Sequence, residues 1–131
     1  MKTAIIYDPC PVARLPIRLI LTTIAFTQIH EYGEISAALS AAMRLKPEMI
    51  VLESSPGGVD GISFIQQLLS ISPRSRVVAF PSVGSQVHFA QCLRAGVFGI
   101  VGKTETMLEV TNAITAVAQG YIYMSSGCRA K

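Results

Sequence analysis

The chain has 131 residues, half of them hydrophobic and 15% charged, and its 11 lysines and arginines outnumber its 8 acids for a formal charge of +3. That length suits one domain with a substantial core, and that composition excludes a disordered segment. The basic residues Arg14, Arg18, Arg44, Lys46, Arg74, Arg76 and Arg94 stand singly, without the run that tracks a phosphate backbone, so direct nucleic-acid binding by this chain is not expected.

Thr3-Ala4-Ile5-Ile6-Tyr7 is a short apolar run, the pattern of a strand buried on both faces, and it ends at Asp8-Pro9-Cys10-Pro11. A helix is expected between Val12 and Ala25, with Leu15, Leu19 and Thr22/Thr23 on a helical stripe. Pro16 deletes the bond back to Val12 and crowds that turn, so the regular helix should start near Leu15 or kink. Phe26 to Tyr32 alternates like an edge strand. Glu34 to Lys46 is amphipathic, with Ile35, Ala38, Leu39, Ala42 and Met43 on one face, and Pro47 stops it.

Met49-Ile50-Val51-Leu52 is the central strand, and it gives out at Glu53. Ser54-Ser55-Pro56-Gly57-Gly58 then reads as a loop. A third helix, Gly61 to Ile71, faces inward through Ile62, Ile65, Leu68 and Leu69 and is closed by Pro73. Arg76 to Phe80 is the fourth strand, breaking at Pro81-Ser82, and a fourth helix runs from Gly84 to Arg94 until Gly96 ends it. Phe98 to Gly102 is the fifth strand, with Lys103 at its carboxyl end. The last helix, Thr104 to Gln119, buries Met107, Val110, Ile114 and Val117. Tyr121 to Met124 is a short apolar tail, and from Ser125 the chain reads as a frayed end or the start of a linker. The domain is therefore expected to span 1–124, with 125–131 as tail. Five strands alternating with five helices make an α/β fold. It is expected to be flavodoxin-like, a (βα)5 doubly wound parallel sheet of order 2-1-3-4-5.

Cys10, Cys92 and Cys128 are far apart, odd in number and without C-x-x-C spacing, which suits reduced thiols in a cytoplasmic protein. No apolar run reaches the length of a membrane span, and no secretory signal precedes the first strand, so neither membrane nor export is expected.

The proposed strand order gathers Asp8, Glu53, Pro81-Ser82 and Lys103 at one cleft, the carboxyl edge where open parallel sheets build their sites. This arrangement resembles the receiver domain of bacterial response regulators, of the NarL/FixJ type, from about Thr3 to Tyr123. The residues that carry the resemblance are Asp8-Pro9-Cys10-Pro11, Leu52-Glu53 through Pro56 to Asp60-Gly61, Ala95-Gly96-Val97-Phe98-Gly99, and Lys103. The resemblance implies a phosphoacceptor aspartate where Glu53 stands and a pair of magnesium-binding acids at Asp8-Pro9. It also implies a phosphoryl-holding hydroxyl where Pro81 stands, and a charge-balancing lysine at Lys103. Only Asp8 and Lys103 match.

Each departure has a physical consequence. The extra methylene of Glu53 shifts its oxygens by roughly an ångström, and a misplacement of about 1 Å can cost ~100-fold in phosphoryl transfer. Magnesium needs near-octahedral oxygen ligation, which Pro9 does not supply. Pro81 offers neither a hydroxyl nor an N–H. Ile100, at the position that is often aromatic in receivers, has no ring to swing. A degenerate pseudo-receiver is therefore expected, with no cofactor and no bound magnesium, and with Asp8 the one metal ligand if there is any. Glu53 reaching toward Lys103 would either imitate a modified aspartate or close a vestigial pocket as a structural ion pair.

Ser54, Ser55 and Ser82 have no His or acid at an activating spacing, so loop and cap roles are expected, although a one-residue slip would let Ser82 replace the missing hydroxyl. His30 and His88 are too far apart in sequence to suggest a metal site. The run Ser55-Pro56-Gly57-Gly58 lacks the lysine of a phosphate-binding loop. Phe89 falls off the inward stripe Val83-Val87-Ala90, and Phe98 stands where the family has a small polar residue, so both are candidate interface aromatics. The first and last helices are the other candidate dimer face.

The expected function is non-enzymatic: an atypical, phosphorylation-independent receiver-like domain of a bacterial-type transcriptional regulator. It would act through homo- or heterodimer contacts, with DNA reached only through a helix-turn-helix output domain outside this chain. The alternatives are a phosphoacceptor receiver using Mg2+ and a His-Asp phosphorelay, a stand-alone adaptor, and a flavodoxin-like cofactor binder. Pro9 and Pro11, where a phosphate-cradling loop would be needed, argue against the last. No small-molecule substrate is expected.

Overall fold

The structure, a computed structural model, describes residues 2–55, 60–82, 85–125 and 127–128. In chain order these form β1 (Thr3–Tyr7), α1 (Pro11–Thr23), β2 (Gln28–Tyr32), α2 (Ile35–Leu45), β3 (Met49–Leu52) and α3 (Gly61–Ile71). There follow β4 (Arg76–Ala79), α4 (Gln86–Ala95), β5 (Gly99–Ile100), α5 (Met107–Ala118) and β6 (Tyr123–Met124). The sheet is parallel throughout and ordered β2-β1-β3-β4-β5-β6, which is the expected 2-1-3-4-5 order with one short strand added at the edge. Among the described residues no helix is long and apolar enough to cross a membrane.

Strand alternation divides the core into two layers. Ile5, Tyr7, Ile50, Leu52, Val77, Ala79 and Ile100 face one side, where α2, α3 and α4 supply Ala38, Ala42, Phe64, Ile65, Leu68 and Cys92. Ala4, Ile6, Met49, Val51, Val78 and Val101 face the other, against Ile17, Ile20 and Leu21 of α1 and Val110, Ile114 and Val117 of α5. Both faces of the central strands are thus buried, which is why they read as unbroken apolar runs.

Helix α1 departs from expectation in start and phase. It begins at Pro11 and continues through Pro16. Proline at the first helical position loses an N–H that would have had no partner, and its fixed φ suits the turn. The buried stripe is Ile17, Ile20 and Leu21, while Leu15 and Leu19 are 57% and 69% exposed. The segment offers two apolar stripes, and the one continuing to Ile24 wins the sheet face. Thr22 and Thr23 are exposed and turn their hydroxyls back to the carbonyls of Arg18 and Leu19, each at 2.8 Å.

Smaller shifts follow the same logic. In α2, Ala41 is buried and Met43 is exposed. In α3, Phe64 is fully buried, and Ile62 and Leu69 only partly. Helix α5 starts at Met107 behind Thr106, whose hydroxyl accepts the Glu109 N–H at 3.2 Å. Met107 is therefore at the helix tip and exposed. The expected start of α4 at Gly84, the loop residues Pro56, Gly57 and Gly58, and Arg129 to Lys131 lie outside the described residues.

Candidate functional site

Four strand ends build the cleft. The N–H of Asp8 donates to Tyr32 O at 3.0 Å and that of Glu53 to Tyr7 O at 3.0 Å, so both acids are fixed one residue past a paired strand. Each is only 3% exposed. Lys103 follows β5, and its N–H donates to Pro81 O at 2.9 Å.

The side chains close on one another. Lys103 Nζ lies 2.5 Å from Asp8 Oδ2 and 2.7 Å from Glu53 Oε1, so one ammonium serves both buried carboxylates. It also sits 5.7 Å from the centroid of the Phe80 ring. Asp8 Oδ1 accepts the Cys10 N–H at 2.9 Å. Glu53 Oε2 accepts from the Ser55 N–H at 2.8 Å and the Ser55 hydroxyl at 3.1 Å. The Ser82 N–H reaches both oxygens of Glu53, at 3.0 and 3.1 Å. Glu53 thus joins the ends of β3, β4 and β5.

Charge balance sets the protonation. Burial alone would raise the Glu53 carboxyl, but the Lys103 ammonium and the Ser55 and Ser82 donors outweigh it and hold the group below its ordinary 4.5. Burial would lower Lys103, but Asp8 and Glu53 hold it above its ordinary 10.5. A lowered acid stabilises the fold above its unfolded pKa and loses that contribution as pH falls through its folded value. A raised lysine does so below its unfolded pKa and loses it as pH rises through its folded value. Urea midpoints are therefore expected to show no pH dependence from this pair between about pH 5.5 and 9.5, where its contribution is fully present, with losses outside that window.

The residues sit as follows against the sequence reading. Asp8, Glu53 and Lys103 converge. Pro81 contributes its carbonyl to Lys103, and its neighbour Ser82 turns an N–H and its side chain to the carboxylate. Pro9 is exposed. Ile100 is fully buried opposite Ala79. Phe89 and Phe98 do not meet: Phe89 packs partly buried with the α2–α4 layer, Phe98 with the α1–α5 layer beside the Arg76 guanidinium at 5.9 Å. The inward stripe of α4 is Phe89, Cys92 and Leu93, and Val87 is exposed, so the helix is turned from the expected phase.

Magnesium, which the resemblance implies for an intact receiver, does not fit these residues. Both carboxylates are spent on one ammonium, and Pro9 brings no oxygen from its side chain. Among the described residues no group of three or more His, Cys, Asp or Glu is placed to hold a metal ion.

Two clusters escaped the sequence reading. His88 Nε2 lies 2.9 Å from Ser54 Oγ and 3.6 Å from Cys92 Sγ, tying α4 to the residue after Glu53. The i,i+4 spacing of His88 and Cys92 was the available signal. Burial pushes the Cys92 thiol up to about 11, which keeps it protonated and unreactive at neutral pH. The second cluster surrounds Glu105, which precedes the cap of α5 instead of lying within the helix. Its carboxylate accepts the Gly102 N–H at 2.8 Å, the Ser125 hydroxyl, and the Gly127 N–H at 3.1 Å.

Comparison with known proteins agrees with this geometry. The family model of the response regulator receiver domain matches residues 4–115. A candidate transcriptional regulator of Pseudomonas aeruginosa is 30% identical over 127 residues, which cover 97% of this chain and 61% of that protein. The DNA-binding transcriptional activator EvgA of Escherichia coli K12 is 28% identical over 120 residues, covering 92% of this chain and 59% of EvgA. The chain thus spans about three fifths of the length of these relatives. In fold it is similar to the isolated REC domain of RcsB from Salmonella enterica serovar Typhimurium with the phosphomimetic BeF3-. The TM-score is 0.87 at 21% identity, covering 97% of this chain and 95% of the other. The receiver domain of NarL from Mycobacterium tuberculosis gives 0.78 at 22% identity, covering 91% and 97%. The ordered strand ends, the buried acids and the lysine that joins them are accordingly those of a member of the response regulator receiver domain family, to which this chain belongs.

Proposed function

We propose that this chain is a pseudo-receiver of the NarL/FixJ type, a phosphorylation-independent module of a transcriptional regulator that works through protein–protein contacts. The observation that carries this reading is the Lys103 ammonium held between Asp8 and Glu53, with the Ser82 N–H already on Glu53. These are the groups with which a receiver would meet a metal and a phosphoryl group, and here the chain's own carboxylate engages them. Glu53 takes the role of a permanent internal ligand, fixing the β4 and β5 exits in one arrangement. DNA is reached through an output domain outside this chain, as suits its likeness to proteins named as regulators.

The contact surface we favour is the outer face of α1 with the tip of α5. Val12, Leu15 and Leu19 recur at helical spacing and are exposed, as are Met107 and Leu108. Arg14 and Arg18 beside that stripe face Glu31 of the same chain, so the stripe itself calls for an apolar partner such as a second copy. RcsB, a protein of similar fold, is described as dimers on DNA. Phe89 and Phe98, partly buried on opposite layers, make a weaker interface.

Sedimentation velocity tests the reading. The wild-type chain is expected to dimerise to the same extent with and without a small phosphodonor and Mg2+, and L15K/L19K is expected to weaken dimerisation at least tenfold. Dimerisation that appears only with the phosphodonor would overturn it.

A further inference from the structure

The segment that leaves β6 is anchored. Ser125 is fully buried and Cys128 is 2% exposed. The Ser125 N–H donates to Ile100 O at 3.1 Å, extending the β5–β6 pairing by one bond, and the Cys128 N–H donates to Ser125 O at 3.0 Å. The Ser125 hydroxyl and the Gly127 N–H both donate to Glu105, and Cys128 Sγ lies 3.7 Å from Glu105 Oε2.

The same carboxylate holds the loop that carries the cleft lysine. Glu105 Oε2 accepts the N–H of Gly102, the residue before Lys103, at 2.8 Å. The next N–H, that of Lys103, is bound to Pro81 O at 2.9 Å. Two successive backbone donors therefore pin the β5–α5 loop, one toward β4 and the cleft, the other toward the outgoing chain. Burial would raise the Glu105 carboxyl, but the Ser125, Gly102 and Gly127 donors more than offset it and keep it ionised at neutral pH. A charged acceptor with several donors fixes direction as well as distance.

We propose that Glu105 is a coupling strap: it ties Ser125, Gly127 and Cys128 to the loop bearing Lys103, so that the direction in which the chain runs on from β6 responds to the ion pairs of the cleft. When Lys103 loses its partners the loop is free to shift, Glu105 shifts with it, and the strap releases. The device holds whether or not the cleft accepts phosphate, so it stands or falls apart from the reading of the cleft as a pseudo-receiver.

The three native thiols provide the test. Cys10 is exposed, Cys92 is buried on the inner face of α4, and Cys128 is buried beside the strap. The alkylation rate of each is measured in native buffer with iodoacetamide by peptide mass spectrometry, and strap opening is read as the ratio of the Cys128 rate to the Cys92 rate. E105A is expected to raise that ratio at least tenfold, with E105Q intermediate because it keeps one acceptor oxygen. K103M, which removes an ammonium paired with Asp8 and Glu53 and leaves every donor to Glu105 in place, is expected to raise it at least threefold, a result that a purely local role for Glu105 would not give. A ratio in E105A within twofold of wild type overturns the strap, as does an equal rise of both rates. A ratio unchanged in K103M overturns the coupling.

Discussion

Replacing Lys103 with methionine is expected to cost about 3–5 kcal/mol of folding stability at pH 7, the loss typical of removing one partner from a buried ion pair. The substitution leaves Asp8 and Glu53, each almost wholly buried and both formerly on one ammonium, without a cation. Two like charges in such a site cannot both stay ionised, so the pair should bind a proton on folding. That fixes the sign of the pH effect: the folded variant binds more protons than its unfolded chain, and its stability should rise as pH falls from 7 toward 5. Urea unfolding of K103M and wild type at both pH values reads the effect. A loss under about 1 kcal/mol would class the triad with exposed salt bridges.

The second large effect is expected at Gly61, the first residue of α3. A Cβ built there would stand 1.8 Å from Ser54 O and 2.6 Å from Ser54 C, both backbone atoms directly after the cleft acid. No rotamer relieves a backbone clash, so G61A must push the β3 exit and α3 apart, at a cost of about 3 kcal/mol, the upper range for overpacking. The displacement falls on Ser54 and through it on the bond to His88. Thermal unfolding of G61A checks this, and a midpoint equal to wild type would mean the loop yields freely.

How far the sequence could be read depended on which interactions are local. Strand β3 and helix α3 appear with the bounds expected from their apolar runs and from the breakers beside them. The cleft was legible because a parallel sheet brings every strand end to one edge, so that Asp8, Glu53 and Lys103 had to meet once the strand order was known. The phase of α1 was not legible, since Leu15 and Leu19 make as good a stripe as Ile17 and Ile20 until the sheet selects one. Strand β6 depends on β5, and the anchor that follows it on Glu105, which sequence alone assigned to the start of a helix. Only the return of the chain beside β5 reveals its partners. The ring of Phe89 turned inward for a related reason: tertiary packing set the rotation of α4, whose own pattern is weak.

Intact-mass measurement after incubation with a small phosphodonor and Mg2+ tests the central claim most directly. If the ammonium of Lys103 and the N–H of Ser82 are already committed to Glu53, the wild-type chain should keep its unmodified mass. A phosphoryl adduct that maps to Asp8 or Glu53 would contradict the account.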